Sequence, residues 1–173
     1  MTTPSDRYDL LWAKTDAEGR PHSLRGHLLD AAAVAELIWD EFLSPAAQRM
    51  FDGVADGRGR DLLVMVAALH DVGKATPAFQ VKAGRGRFPE IDEARQRHGL
   101  PGCDVETATG MRWYHGPAGA LIVGEYLRQQ GIENLAWILP VVDGHHGRFG
   151  KSRSKVPRGR ANDHGQGEWP SVQ

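Results

Sequence analysis

Six side chains able to hold a metal, and one ammonium, recur along this sequence at the ends of apolar runs. His70 and Asp71 stand side by side after the run Leu62 to Leu69, and Lys74 follows three residues later. His27 lies upstream on an apolar stripe, His115 sits in "YHGPAGA", and His145 and His146 close "VVDGHH". Neutral imidazole ligates Mn, Fe, Co, Ni and Zn, and carboxylate suits the harder of these ions. A mixed His/Asp set fits a catalytic metal with open positions better than a closed structural site, which favours thiolates. Adjacent helical residues point about 100° apart. His70 and Asp71 therefore need not bind alike: one can ligate terminally while the other's two oxygens bridge two ions. Two ions roughly 3.5–4 Å apart can hold the attacking and leaving oxygens of a phosphodiester displacement. Lys74, one turn beyond His70, is placed to stabilise a phosphate or the charge developing on it. Burying such groups together is costly unless they are paired or metal-bound.

Each residue alone is weak evidence. A histidine on an apolar stripe, like His27, is more often a hydrogen-bonded core residue, and a lone lysine is usually solvated. The reading rests on six candidates, His27, His70, Asp71, His115, His145 and His146, at helix ends that can converge. His22, His98 and His164 lie in polar contexts and are set aside.

The elements that must position these groups are helical. Ser23 can cap a helix running to about Leu43, with Leu24, His27, Leu28, Ala31, Ala35, Ile38 and Phe42 on one apolar face. A second helix spans roughly Arg60 to Val72, with Gly73 as its stop. Thr76-Pro77 reads as an N-cap and first-turn pair opening a short helix through Val81. Residues 83–112 read as a surface excursion with a short helix at 90–98. His115 to Gln130 is helical, and so is Ile132 to Asp143, with a bend at Pro140. No strand pattern and no repeat stand out, so the fold class is all-α. Val34, Ile38, Leu63, Val66, Leu121 and Ile138 are expected in the core. Trp39 and Trp137 are expected there too, or lining a groove. Trp113 and Tyr114 are read as packing beside His115, with stacking on a base as the other use.

The chain has 173 residues, 40% of them hydrophobic, enough for one domain with a core. Net charge is near zero but uneven: residues 148–160 carry six Lys/Arg and no acid. A basic segment on an acidic body suggests a local anionic contact, and a solvated tail is the plain alternative. The single cysteine, Cys103, allows no internal disulfide and fits a reducing cytoplasm. No apolar run approaches the ~20 residues a membrane span needs, and no signal pattern opens the chain.

"HDVGK" at 70–74, with its upstream and later histidines, resembles the HD superfamily of metal-dependent phosphohydrolases. "LWAKT" at 11–15, "HSLRGHLLDAAAVAELIW" at 22–39, "LHDVGKATPAFQ" at 69–80 and "GHHGRF" at 144–149 narrow the likeness. Together they resemble the HD nuclease domain of the CRISPR-associated helicase-nuclease of type I systems, over roughly residues 8–150. The resemblance implies an HD-type helical bundle with two divalent ions, from Mn, Fe, Co, Ni or Mg. It implies endonucleolytic or exonucleolytic cleavage of single-stranded DNA displaced by a guide-RNA surveillance complex. It assigns one ion to His27, His70 and Asp71, a bridge to Asp71, and the second ion to His115, His145 and His146. Lys74 lies beside the site with Asp71 as the catalytic pair.

That family also has a further metal-binding Asp downstream of the paired histidines, for which Asp163 is a poor substitute. No "GxxxxGK[ST]" phosphate loop occurs. The expectation is a nuclease domain over residues 1–150, then a basic, polar segment, 151–173, that begins a truncated remainder. The helicase is expected in the same or a separate chain. Two other readings compete: an HD phosphohydrolase acting on nucleotides or cyclic nucleotides, and an inactive fragment that docks on DNA or on the complex.

Overall fold

The computed structural model describes residues 8–81, 87–102 and 114–147. The described chain is mostly helical, in keeping with the all-α expectation, but it opens with a small hairpin the sequence did not announce. Strand β1, Trp12–Thr15, pairs antiparallel with β2, Pro21–Ser23. Asp16 builds the turn between them, its carboxylate accepting from the backbone N–H groups of Glu18 and Arg20 at 3.0 and 2.8 Å. Gly19 follows at φ 78°, a conformation that suits glycine. Strands of four and three residues are too short to show alternation, which is why periodicity misses them.

Ser23 ends β2 and caps helix α1, Leu24–Leu37, accepting from Gly26 N–H at 3.1 Å. The helix runs on as a π-turn, Ile38–Phe42. Each i→i+5 closure places an extra residue in the turn, so residues beyond it lag by about one residue's rotation, ~100°. This displaces the end of the expected apolar face at Phe42, whereas Val34 is exposed within regular helix. Leu24 and Ala35 are buried as expected, whereas Ile38 and Phe42 are 40% and 79% exposed, and Val34 is 53% exposed. Gln48 donates from Nε2 to the Trp39 carbonyl at 2.8 Å, inside the same irregular stretch.

Ser44-Pro45 does more than follow the first helix. Ser44 caps helix α2, Pro45–Val54, and Pro45 occupies its first turn, where a missing N–H costs nothing. Helix α3, Gly59–Leu69, packs against both α1 and α2. It stops short of Val72: His70 and Asp71 turn away, and Val72–Lys74 forms a single 3-10 turn. Helix α4, Pro77–Gln80, follows, but Thr76 does not cap it; the Thr76 hydroxyl donates instead to the Gly73 carbonyl at 3.0 Å. Helix α5, Pro89–Arg97, lies where a short helix was expected. Its surroundings are not all surface, since Arg95 and Leu100 are buried.

Helix α6, His115–Gln129, packs on the 72–74 turn and on α7, Leu139–Gly144. The expected helix over Ile132–Asp143 is thus reduced to its last part. Pro140 stands in the first turn of α7 rather than at a bend, because there it breaks no helical hydrogen bond. Ile138 and Val142 are fully buried against Val72 and Val123. Trp137 is 43% exposed and lines a groove with Met50, Val54 and Leu62.

Candidate metal centre

Four separate stretches deliver the charged groups. His27 comes from the second turn of α1, and His70 and Asp71 from the end of α3. His115 is the first residue of α6, and His145 and His146 follow α7. The structure brings all six candidates and Lys74 around one carboxylate. Asp71 is buried, and Oδ2 accepts from His27 Nε2 at 2.8 Å. His70 Nε2 and Lys74 Nζ stand 3.2 and 2.6 Å from the same oxygen. His115 Nε2 and His145 Nε2 face Oδ1 at 2.9 and 3.3 Å. His146 Nε2 lies 2.9 Å from His115 Nε2, at the exposed rim.

The backbone fixes which nitrogen faces inward. His70 Nδ1 donates to the Ala67 carbonyl at 2.7 Å, and His145 Nδ1 to the Val142 carbonyl at 2.7 Å. A carbonyl only accepts, so each Nδ1 carries a proton, and Nε2 is left to face Asp71. This is how metal-binding imidazoles are commonly oriented.

Electrostatics set the charge states. Burial works against the Asp71 carboxylate, but contacts from His115, His145, His70 and Lys74 outweigh it and hold the carboxyl far below its usual range. Contact with Asp71 pushes His145 above the ordinary imidazole value, against burial. Burial pushes His27 below it, despite the Asp71 hydrogen bond. His146 is lowered by burial and then by the neighbouring His145 and His115.

Two observations test whether the set fits a metal. Although His115 Nε2 is only 2.9 Å away, Asp71 Oδ1 is fully buried and has no aligned hydrogen-bond donor among the described residues. His115 Nε2 also lies 3.2 Å from His145 Nε2 and 2.9 Å from His146 Nε2. One ring nitrogen carries at most one proton and cannot satisfy three acceptors. Lone pairs facing one another at this spacing are satisfied together by a cation. Two groups offer ligand atoms within 4.8 Å of one another, Asp71/His115/His145/His146 and His27/His70/Asp71, with Asp71 in both. The residues fit a divalent ion.

Four residues that make this convergence possible, Gly73, Gly116, Phe79 and Gln80, carry no metal-ligating or acid–base group of their own. Gly73 was read as a helix stop, yet its φ is not in the left-handed region. A Cβ there would collide with the backbone of His115 and Gly119. A Cβ on Gly116 would collide with the Asp143 carbonyl. These glycines let three backbones meet. Phe79 packs edge-on against His115 at 5.6 Å, with Lys74 Nζ 5.5 Å from its ring centre. Gln80, buried, accepts from Trp12 N–H at 3.1 Å and donates to the carbonyls of Trp12 and Lys74 at 2.9 Å. It clips the hairpin to the 72–74 turn. The small residues Gly116 and Ala120, four positions apart with Gly119 between them, are the hint in the sequence that another backbone approaches this helix closely.

Other candidates are not brought in. His22 bonds Asp30 at 3.2 Å and stands edge-on to His27, ring centres 6.3 Å apart. Tyr114, at the N-cap of α6, is 51% exposed. Cys103, Trp113, Asp163, His164 and the basic segment lie outside the described residues.

A helical domain with histidines and one aspartate converging from helix ends is an HD-type domain. Comparison with known proteins gives the family. The profile described as "Cas3, HD domain" matches residues 12–173, and the chain belongs to that family. It is 29% identical over 154 residues to the CRISPR-associated nuclease/helicase Cas3 of Streptococcus thermophilus, covering 81% of this chain and 16% of that protein. It is 30% identical over 144 residues to the CRISPR-associated endonuclease/helicase Cas3 of Thermus thermophilus, covering 79% of this chain and 14% of that one. The chain therefore spans about a sixth of the length of the curated relatives it matches. No solved structure matches it at a significant level.

Proposed function

We propose that this chain is a metal-dependent nuclease module that hydrolyses phosphodiester bonds of single-stranded DNA in CRISPR-linked defence. The observation that carries the reading is Asp71: one buried carboxylate shared by two groups of histidines, with an oxygen that no donor among the described residues satisfies. His27, His70 and Asp71 would hold one ion, and Asp71, His115, His145 and His146 the other. Divalent ions bound there would supply Lewis-acid polarisation of the phosphate and a water acidic enough to lose its proton near neutral pH.

The protein's own groups do the rest. Asp71, ionised throughout the working pH range, supplies the bridging charge. The Ala67 and Val142 carbonyls hold His70 and His145 in the tautomer that presents Nε2. Lys74, half-buried and resting on Phe79, places a cation where charge develops on the phosphate. His146 and His70 are the more accessible members of their groups and mark the open side by which a strand can enter. A guide-RNA surveillance complex would present that strand in the cytoplasm; a helicase would lie in the same or a separate polypeptide, a reading supported by the nuclease/helicase names of the two relatives.

The test uses closed circular single-stranded DNA, which only an internal cut can open. Residues 1–173 are assayed with Mn, Fe, Co, Ni and Mg in turn, beside Asp71→Ala. Cleavage that needs the metal and disappears in the variant is expected. Cleavage that survives chelation, or that Asp71→Ala performs equally well, would remove the proposal. Bound metal without any cleavage would point instead to a docking module.

A further inference from the structure

Helix α5 gives no ligand to the metal centre, yet it buries a charge. Arg95 is 2% exposed, and burial works against its guanidinium. The Asp92 carboxylate answers that charge from one turn away. A buried ion pair of this kind is a weak source of stability, because desolvation offsets the attraction. Packing already fastens the segment on either side of Arg95. Phe88 stands edge-on to Trp12 at 5.5 Å, and Leu100 is buried with Leu11, Ala13, Leu24 and Ala75. What Arg95 adds is a fixed donor between those anchors.

That donor reaches Gln80. Arg95 Nη1 donates to Gln80 Oε1 at 3.1 Å, and the Trp12 backbone N–H donates to the same oxygen at 3.1 Å. Gln80 Nε2 donates to the carbonyls of Trp12 and Lys74, each at 2.9 Å. A primary amide has two acceptor lone pairs and two N–H groups. All four are taken, and every partner demands the same orientation: guanidinium and N–H only donate, carbonyls only accept. A turned amide would set its oxygen against two carbonyls and its nitrogen against the guanidinium. A hydrogen bond with a charged donor is roughly twice as strong as a neutral one, so the Arg95 contact holds the amide hardest. Lys74 ends the turn that follows Asp71, and its ammonium stands 2.6 Å from Asp71 Oδ2.

We infer that Arg95 is a positioning residue for Lys74, acting through the Gln80 side chain. The guanidinium fixes the amide, and the amide fixes the Lys74 carbonyl. The carbonyl in turn fixes the end of the 72–74 turn, from which the ammonium reaches Asp71. Arg95 is no part of the ligand set and touches no reacting group. Its effect on cleavage rests on the nuclease reading above, whereas its effect on the turn does not.

The test compares the full 173-residue chain with Arg95→Met, Arg95→Lys and Gln80→Glu, first without metal. Hydrogen exchange, read by mass spectrometry, follows the amides of residues 74–80 and those of α6. Arg95→Met should speed exchange at 74–80 about tenfold, the worth of one hydrogen bond to a charged group, and leave α6 unchanged. Arg95→Lys keeps a charged donor and should restore part of the protection. Gln80→Glu keeps an acceptor for Arg95 but sets an oxygen against the Lys74 carbonyl. It should loosen the same residues, and it decides the matter where Arg95→Met does not fold. Faster exchange confined to α5, or equal throughout the chain, overturns the inference. With Mn and single-stranded DNA, Arg95→Met should lower kcat about tenfold with KM unchanged. In a Lys74→Met background it should lower kcat no further, because both changes act on one group. Additive losses in the double variant also overturn the inference. A wild-type chain that cleaves nothing removes the nuclease reading and leaves the exchange comparison to decide.

Discussion

The two oxygens of Asp71 have different surroundings. Oδ2 meets His27, His70 and the Lys74 ammonium, with one aligned hydrogen bond and a full positive charge 2.6 Å away. Among the described residues Oδ1 meets imidazole nitrogens, which crowd one another at 2.9 to 3.2 Å, and it has no aligned donor there. The Oδ2 side is therefore nearly balanced by protein groups alone. The Oδ1 side has no permanent cation and is balanced either by a proton held on His145 or by a metal ion that displaces it. Unpaired buried polar groups are the costly ones, so the drive to bind an ion is greater on the Oδ1 side. On the proposed reading the two ions bind in order, first among His115, His145 and His146, then between His27 and His70.

The largest expected effect tests that order. His115→Ala removes a ligand from the tighter side and should abolish the first binding step in calorimetry, with cleavage falling to background. His27→Ala should leave that step intact and remove only the weaker one. Equal loss of both steps in either variant would mean that the two sides act as one and the comparison fails.

How much of this was visible in the sequence divides along the same lines. Asp71 and the histidines were legible because polar groups at the ends of apolar runs stand out in one dimension. Their convergence was not, because it depends on what each backbone touches. Gly73 reads as a helix stop until His115 and Gly119 are seen against it. Val34 and Ile38 read as core, yet both stand exposed on α1 and at the start of its π-turn. Pro140 reads as a bend, yet it sits in the first turn of a helix, as Pro45 does. Residue type reports chemistry locally, whereas close approach and register are tertiary facts.

Gly73→Ala sharpens the point at the next scale of effect. The added methyl meets backbone, which cannot rotate away as a side chain can. Overpacking of this kind costs about 1–3 kcal/mol or more, read as a lower midpoint in urea. It should also weaken the first ion, since the 72–74 turn carries Asp71 toward His115. A stable Gly73→Ala protein with normal metal binding would show that the close approach is incidental.

Lys74 gives a smaller effect with an unusual sign. Its ammonium competes with any ion on the Oδ2 side. Lys74→Met should tighten the second binding step while lowering cleavage about ten- to a hundredfold, because the charge beside the phosphate is lost. Weaker second-ion binding in Lys74→Met would mean that Lys74 supports the site rather than competing in it.

The smallest effect is a pH dependence confined to one side. Contact with Asp71 raises His145 above the ordinary imidazole value, so the metal-free protein holds a proton there that an ion must displace. In the metal-free fold this contributes stability that is full below about pH 6.5 and is lost as pH rises through the raised value. His27 and His146 are lowered, so they are already neutral near pH 7. Their contribution has the opposite sign: the unfolded chain binds more protons in their window, and stability falls as pH drops below about 6.5 through it. The gain in melting temperature on adding Mn should therefore grow from about pH 6 to about pH 8, as His145 gives up its proton. His145→Ala should flatten that growth above pH 7, and His27→Ala should leave it unchanged. A gain that is flat in the wild type, or that follows His27 instead, would assign the displaced proton to the wrong side of Asp71 and reverse the proposed order of binding.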